Sequence, residues 1–264
     1  MRDFMKAEMF YLKKDTYMKG ICFILLVASV GLALWLRSAS EGFSMSNILE
    51  PLGVVVSMSI ILYFIIPIQA CIFSTEGFDS GTIKNVLSSG INRTTYITGK
   101  FFTEIKVIIW CLIQFYGVFL ILYYIGAFIT DAEINNIHLE KQMLITIPAI
   151  FYNILYLTAY ITVIFMIGII VRKTEVATIL SFAFIFGDLI ISGYWKESNI
   201  IVLRTISENS LMTQIFKFSG IYVVNSQKVV LLGTGDFIRA TVVPMAIIIF
   251  CTVVAIVVFN KSDI

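Results

Sequence analysis

Six long apolar segments limit what this chain can fold into, because each is long enough to cross a bilayer as a helix. They occupy residues 20–36, 51–73, 107–129, 145–171, 176–193 and 241–259. Only 14% of the sequence is charged and 59% is apolar, which excludes a soluble domain and a disordered chain. No segment alternates as the strands of a membrane barrel do. The sequence predicts an all-α polytopic membrane protein with six transmembrane helices, in a single domain over residues 1–264.

The distribution of lysine and arginine predicts how the six helices are oriented. With the N-terminus inside, twelve of the 19 lysines and arginines fall in inner segments and seven in outer loops. Five of those seven belong to the loop 194–240, and long loops cross a membrane largely regardless of charge. Both termini are therefore expected on the cytoplasmic side, which fits an even number of crossings.

The first 19 residues, ahead of the first span, have an amphipathic pattern. At helical spacing one face consists of Met1, Phe4, Met5, Met9 and Leu12. The basic residues Arg2, Lys6 and Lys13 cluster beside that face. Cationic amphipathic helices lie on membrane surfaces with their charges toward anionic headgroups. Residues 1–19 are therefore expected to form an interfacial helix; the alternative is an ordinary basic tail that only sets the topology.

The loop between the second and third spans, residues 74–106, is predicted to contain a short helix. Asp79 or Ser80 can cap its start, and Gly90 suits the left-handed position after its end. Its apolar face would consist of Ile83, Val86 and Leu87. Asn92 can then cap a second helix that runs into the third span. We expect two short helices at a sharp angle on the cytoplasmic surface; the alternative is a plain hairpin that only links two spans.

The loop between the fifth and sixth spans, residues 194–240, is predicted to be extracellular and structured. Loops of this length without structure are uncommon in compact domains. Three apolar patches lie within it, at 200–203, 211–218 and 221–224. They are expected to form short helices that rest on the outer bilayer surface or dip into it.

The sequence contains no catalytic set and no nucleotide-binding motif. The nearest approach to a phosphate-binding loop, Gly99-Lys100-Phe101, lacks the required spacing and hydroxyl. The four cysteines lie in apolar segments without metal-ligand spacing, and the single histidine, His138, falls in a loop. The expectation is a protein that is not an enzyme and that binds no metal or cofactor directly.

Three polar residues within the spans are candidates for a translocation path. Asp188 is the one acid well inside a span, and an intramembrane acid suggests function by default. Gln69 and Gln114 can hydrogen-bond between helices. For Asp188 the alternative is a position near the outer headgroups, and for the two glutamines it is a structural contact between helices.

A run of residues in the loop 74–106 carries a resemblance to a known family. It consists of Glu76, Gly81-Thr82-Ile83-Lys84, Leu87-Ser88, Gly90, Arg93, Tyr96-Ile97 and Gly99-Lys100. This pattern resembles the cytoplasmic coupling segment of ABC-2-type permeases, the membrane subunits of ABC exporters. The whole chain fits that family's outline. It is similar to small bacterial permeases that export peptides, among them bacitracin- and lantibiotic-resistance permeases and the phenol-soluble modulin exporter.

The resemblance implies a membrane-spanning subunit of an ATP-driven exporter in the cytoplasmic membrane of a bacterium. A separate ABC ATPase subunit would hold ATP and magnesium, and a second permease copy or a paralogue would complete the pathway. The cargo would be an amphipathic or antimicrobial-type peptide. Lipid is the remaining partner, and no nucleic-acid partner is expected.

The resemblance also assigns contacts with the ATPase to one short segment. The residues expected to take part are Glu76, Asp79, Gly81, Thr82, Ile83, Lys84, Val86, Leu87, Gly90 and Arg93. The apolar face of the short helix would dock in a groove of the ATPase, so a charge at Val86 or Leu87 is expected to abolish transport while folding is preserved. Lys84 and Arg93 would pair with acids at the rim of that groove.

Two other functions stay open on the sequence. An ion-coupled carrier or channel would depend on Asp188 and would need no partner. A non-transporting membrane scaffold or immunity protein would bind its peptide or partner without ATP-dependent flux. Substitution of Asp188 by asparagine separates the carrier from the other two, because only a carrier loses its activity directly.

Overall fold

The computed structural model of the chain describes residues 2–39, 47–130, 139–221, 223–224, 227–228 and 234–261. Six helical stretches in these ranges are long and apolar enough to cross a membrane. They are Thr16–Ser38, Glu50–Asp79, Arg93–Ile129, Gln142–Val171, Thr174–Tyr194 and Gly235–Lys261. The predicted all-α architecture with six candidate spans is confirmed at this level.

Eleven helices occur in the described ranges. In chain order they are α1 (Arg2–Lys14), α2 (Thr16–Ala39), α3 (Glu50–Ser57), α4 (Leu62–Asp79), α5 (Thr82–Ser88), α6 (Arg93–Ile129), α7 (Leu139–Val171), α8 (Thr174–Tyr194), α9 (Ile201–Asn209), α10 (Leu211–Phe218) and α11 (Thr234–Lys261). A 3-10 turn at Met58–Ile61 joins α3 to α4. Two short strands, β1 (Val223–Val224) and β2 (Gln227–Lys228), pair antiparallel before α11.

Most spans are longer than the apolar segments that predicted them. The bounds 51–73, 145–171 and 241–259 predict that Pro51, Pro148 and Pro244 lie in the first turns of their helices, where a missing N–H costs little. Pro51 does lie there. Pro148 and Pro244 lie inside α7 and α11, so that part of the prediction is wrong. The length of an apolar run indicates only the part of a helix that crosses the bilayer. The helix itself is longer, because its backbone hydrogen bonds continue into more polar sequence on either side.

Helix α7 forms the centre of the bundle. In its most apolar window 67% of the residues are buried, against 17% in α2 and 22% in α8 and α11. The outer helices instead expose apolar side chains, as a surface in contact with lipid requires. Buried hydroxyls join α7 to its neighbours: Tyr63 donates to the Asn153 side chain at 2.9 Å, and Tyr156 donates to the Ala240 carbonyl at 2.9 Å.

The two ends of the bundle carry different structures. The α5 end, as named here, holds α1, α5, the start of α6 and the last turn of α11. The α10 end holds α3, α9, α10 and the start of α11. The first and last helices both reach the α5 end, since Phe4 lies against Gly99 and Arg93 contacts the carbonyl of Asn260.

Helix α1 packs on the protein with the face that the sequence assigned to the membrane surface. Phe4, Met5 and Met9 are half-buried and Leu12 is buried. The Phe4 ring centroid lies 5.6 Å from that of Tyr96 in α6. Helix α6 therefore covers part of this apolar face, and the position of α1 at the membrane surface stays a prediction. Met1, which the prediction included, lies outside the described residues.

The described part of the connection between α8 and α11 contains two helices, of which α10 enters the bundle. Six residues of α10 are buried, among them Met212 and Ile215, and the helix packs on α7 and α8. Helix α9 instead exposes Ile201 and Val202. Two of the three patches predicted to form short helices do so, α10 within the bundle and α9 on its surface, whereas Val223–Val224 of the third patch form strand β1.

Substitution of Gly168 by alanine tests the close approach of α7 to α4. A Cβ there would collide with the Ser74 hydroxyl and lie 3.0 Å from Thr75 Cγ2, so the two helices must separate. We expect the free energy of unfolding to fall by about 1–3 kcal/mol. Gly117→Ala is the matched control, because its Cβ meets nothing within 4 Å and alanine favours the helix by about 1 kcal/mol. Equal stabilities of the two variants, measured by denaturation in mixed micelles, would contradict this packing.

Candidate functional site

The turn between α4 and α6 at the α5 end is built on two glycines with left-handed backbone. Gly81 precedes α5 with φ +67° and Gly90 follows it with φ +91°. Asn92 caps α6 by accepting a hydrogen bond from the Thr94 N–H. The predicted roles of Gly90 and Asn92 are confirmed. At the start of α5, where a side-chain cap was predicted, the structure has Gly81 instead. A side chain with a Cβ is strained at such φ values, so both turns favour glycine.

Asp79 caps a different helix from the one predicted. Its carboxylate accepts hydrogen bonds from the Thr174 backbone N–H at 3.2 Å and from the Thr174 hydroxyl, at the start of α8. Ser80 also leaves α5 uncapped, because its hydroxyl donates to the Glu76 carbonyl at 2.7 Å. The prediction that one of them caps α5 is wrong. Asp79 instead fastens the end of α4 to the first turn of α8.

The apolar face of α5 turns inward. Ile83 is 1% exposed and packs with Tyr96 and Phe259, while Val86 and Leu87 are half-buried against the same cluster. Gly77 makes room for Ile83, since a Cβ there would lie 2.9 Å from Ile83 Cγ1. Ile83 is therefore covered by the protein's own core, whereas the docking of this face in a partner's groove stays a prediction.

The opposite face of α5 is polar and exposed. This α5 outer face consists of Thr82, Lys84, Asn85, Ser88 and Ser89. The buried side of the same helix and the glycine turns at its two ends hold this face in place. A partner at this end of the bundle would meet hydrogen-bonding groups and one lysine.

Arg93 joins α6 to the end of α11. One guanidinium nitrogen donates to the Phe259 and Asn260 carbonyls, each at 3.2 Å. These carbonyls belong to the last turn of α11, where a positive charge is favourable. The side chain is half-buried, so its predicted role at the rim of a partner's groove is secondary to this internal contact.

Behind α5 lies a cavity of about 350 Å³ between α1, α4 and α6. Glu8, Tyr11, Glu76 and Lys100 line it, together with residues of the α5 turn. The Tyr11 hydroxyl donates to the Glu76 carboxylate, and this hydrogen bond raises the pKa of Tyr11 to about 12. Burial raises the pKa of Glu8, against the opposing effect of nearby Lys100. The first helix is thereby connected to the helix that leads into α5.

A charged cluster lies deeper in the bundle, on one face of α6. The Lys100 ammonium donates to the Phe73 carbonyl at 2.7 Å and lies 4.2 Å from the centroid of the Phe73 ring. Glu104, one turn further on, is fully buried and accepts a long hydrogen bond of 3.4 Å from Gln69. Within the ranges given above, the second Glu104 oxygen and the Gln69 carbonyl oxygen have no partner.

The charged cluster was missed as a site by the sequence reasoning. Lys100 belongs to the family pattern and to the imperfect match to a phosphate-binding loop, and Glu104 belongs to neither. The signal was present: the two residues are four positions apart at the start of the third span, on the face that continues with buried Ile108. Ionisable residues at this spacing on a buried face predict a paired interior site.

The three predicted path residues lie at three separate helix contacts. Gln69 faces Glu104, and Gln114 in α6 donates to the Cys22 carbonyl of α2 at 2.6 Å. Asp188 accepts hydrogen bonds from the Tyr160 hydroxyl and from the Met212 backbone N–H, the latter at 2.9 Å. Asp188 therefore caps the start of α10 inside the protein. The structure does not bring the three together.

No family model and no curated protein matches this chain. In the part of the chain that the structure describes, no group of three His, Cys, Asp or Glu side chains is placed to hold a metal ion. The features left to support a function are therefore geometric: the α5 turn, the helices that it joins, and the polar sites within the bundle.

Proposed function

We propose that this chain is the membrane-spanning subunit of an ATP-driven ABC exporter and that its α5 outer face docks on a separate ATPase subunit. One observation carries the proposal: a short helix with an exposed polar face is fixed rigidly to one end of a six-span bundle. The resemblance of the segment from Glu76 to Lys100 to the coupling segment of ABC-2-type permeases supports it. ATP and magnesium would be held by the ATPase, and the cargo would be an amphipathic peptide.

The contacts around α5 are suited to transmit a displacement of the turn into the bundle. Ile83 packs on the backbone of α4 at Gly77. Asp79 ties the turn to α8, and Arg93 ties it to α11. A partner that moves α5 would therefore move several spans together, because Ile83 is buried against α4 and hydrogen bonds join the turn to α8 and α11. Export driven by ATP requires such a rigid connection between the two subunits.

As such a subunit, the chain would have a defined orientation in the membrane and would assemble with a second permease. The α5 end would face the cytoplasm of a bacterial cell, with both termini on that side, and the α10 end would face outward. A second copy or a paralogue would complete the pathway. The docking contacts would come from Thr82, Lys84 and Asn85 in place of Ile83, Val86 and Leu87, which serve the protein's own core.

Reversal of the charge on the α5 outer face tests the docking. The chain carries an affinity tag and is purified from its native membrane in mild detergent, and copurifying proteins are identified by mass spectrometry. We expect a stoichiometric partner with a phosphate-binding loop, and Lys84→Glu should reduce its yield about tenfold, since like charges across an interface cost several kcal/mol.

Lys173→Glu is the matched control for this substitution. Lys173 is exposed at the same end of the bundle, in the turn between α7 and α8, but it does not belong to the α5 outer face. The partner should remain with this variant. Purification of the wild-type chain without any ATPase would contradict the proposal. An equal loss of the ATPase from the Lys84→Glu and Lys173→Glu variants would also contradict it.

A further inference from the structure

The cavity behind α5 has opposite charges on its wall that do not pair with each other. Glu8 lines it from α1, Glu76 from α4 and Lys100 from α6. Lys100 attracts Glu8 electrostatically, but no ion pair joins Lys100 to either carboxylate in the described part of the chain. A volume of about 350 Å³ remains between the three helices. Charged groups that line one cavity without meeting point to a ligand that carries charges of its own.

The two carboxylates offer oxygens to such a ligand. Glu8 is half-buried and takes part in no hydrogen bond among the described residues. One oxygen of Glu76 accepts from the Tyr11 hydroxyl, and the other has no partner among those residues. A carboxylate that is partly withdrawn from water needs donors, and an ammonium group supplies three N–H groups.

The Tyr96 hydroxyl is a donor on the α6 side of the cavity. Tyr96 is 2% exposed and belongs to the lining, yet its hydroxyl has no hydrogen-bond partner within the described ranges. Unlike the unpaired oxygens of Glu104 and Gln69, this hydroxyl is not sealed from the accessible surface. It lies 2.8 Å from the Cβ position of Gly77, which is also part of the lining. A buried but reachable phenol without a partner points to a ligand that accepts its hydrogen bond.

The Lys100 ammonium adds a positive charge beside this hydroxyl. It lies 5.4 Å from the centroid of the Tyr96 ring, and its one acceptor among the described residues is the Phe73 carbonyl. Two of its three N–H groups therefore have no oxygen to bind. This charge attracts a carboxylate and repels a second cation. The α6 side of the cavity thus favours an anion, whereas the carboxylates of α1 and α4 favour a cation.

The cavity opens at the α5 turn, where a small ligand can enter. Ser80 and Thr82 belong to its lining and are exposed. Its apolar wall comes from Ala7 and Val86. This wall is short, so it suits a small apolar group and not a long chain.

We propose that the cavity behind α5 binds a free α-amino acid with a small apolar side chain. The ammonium of the amino acid would donate to Glu8 and to the second oxygen of Glu76. Its carboxylate would accept from the Tyr96 hydroxyl, beside the charge of Lys100. Its side chain would lie against the apolar wall. This binding goes beyond the proposed function, because it depends on the cavity alone and requires no partner subunit.

Three related compounds test the site. The full chain is placed in phosphatidylcholine nanodiscs, and isothermal titration calorimetry measures the binding of L-valine, L-valinamide and N-acetyl-L-valine. The amide lacks the carboxylate, and the acetylated compound lacks the ammonium. We expect L-valine to bind about tenfold more tightly than either, because each analogue loses one set of charge-assisted hydrogen bonds.

Substitution of Glu8 by glutamine tests the side of the cavity that binds the cation. Glu8→Gln should weaken the binding of L-valine about tenfold and bring it close to that of N-acetyl-L-valine, because the ammonium loses its charged acceptor. Asp3→Asn is the matched control, since it removes an exposed acid of the same helix outside the lining. That variant should bind L-valine as the wild-type chain does.

Substitution of Tyr96 by phenylalanine tests the side that binds the anion. Tyr96→Phe should weaken L-valine about threefold and leave L-valinamide nearly unchanged, because only L-valine has a carboxylate to accept from the hydroxyl. The free chain should keep its stability, since the hydroxyl has no partner to lose. Tyr17→Phe, which removes an exposed hydroxyl from α2, is the control and should change neither affinity.

Three results would overturn the site. L-valine that does not bind, or that binds no better than its two analogues, would show that the cavity does not recognise an amino acid. Equal losses in Glu8→Gln and Asp3→Asn would assign the attraction to general surface charge. Equal losses of L-valine and L-valinamide in Tyr96→Phe would contradict the contact with the carboxylate. None of these measurements involves an ATPase, so failure of the site and failure of the proposed function are separate results.

Discussion

Substitution of Asp188 by alanine is expected to lower the free energy of unfolding by about 3 kcal/mol, because two buried donors would lose their acceptor. The Tyr160 hydroxyl and the Met212 N–H both donate to this carboxylate. The loss of the second contact leaves the start of α10 held by the Ser210 cap alone. The expected result is a folded bundle from which α10 detaches at milder denaturant than the rest.

Denaturation in mixed micelles, followed by proteolysis of the connection between α8 and α11, measures this effect. Glu175→Ala is the matched control, since Glu175 is an exposed acid of the same helix and should change the stability little. Asp188→Asn should cost only about 1 kcal/mol, because its amide oxygen can still accept one hydrogen bond. An alanine variant as stable as the control would refute the capping role.

The asparagine variant also separates the exporter from the ion-coupled carrier. A carrier that depends on this acid would lose its flux in Asp188→Asn although the protein stays folded. An exporter in which Asp188 only positions α10 would keep ATP-dependent transport in that variant. Transport and stability measured on the same preparation therefore distinguish the two functions.

The second large effect is expected at Lys100. Lys100→Met should lower the free energy of unfolding by about 3 kcal/mol, because the Phe73 carbonyl would lose a charge-assisted hydrogen bond and the Phe73 ring would lose the cation near its face. Lys106→Met, at an exposed position of the same helix, is the matched control and should change little.

Glu104→Gln should behave in the opposite way. One carboxylate oxygen has no partner among the described residues, and a buried ionised group without a full set of hydrogen bonds is costly. A glutamine keeps the shape and offers an N–H to the unpaired Gln69 oxygen, so its stability should equal or exceed that of the wild-type chain. A loss of more than about 2 kcal/mol in this variant would show that Glu104 acts as a charged partner of Lys100.

Much of the architecture could be predicted because its causes are local. Apolar runs long enough to cross a bilayer identify helices without knowledge of what they contact, and all six candidate spans were found in this way. Gly90 and Asn92 were also predictable, since a left-handed residue and a helix cap depend on the immediate backbone.

The same local rules failed where a side chain had a choice of partners. Asp79 and Ser80 were both suitable caps for α5, but Asp79 binds Thr174, 95 residues away, and Ser80 turns back to Glu76. Ile83 belongs to the predicted docking face, and only the packing shows that its own side chain is already buried. Periodicity reveals that a helix has an apolar side but not which surface lies against it.

The sequence by itself determined that this chain is a bundle of six candidate membrane spans with a short helix between the second and third. The tertiary structure decided what the polar residues do: Asp188 caps α10, Gln69 meets Glu104, and Lys100 donates to the Phe73 carbonyl. The physical reason is the range of the forces involved. Transfer into a bilayer depends on the composition of a single segment, whereas hydrogen bonds join atoms only at about 3 Å and so depend on how distant segments are packed.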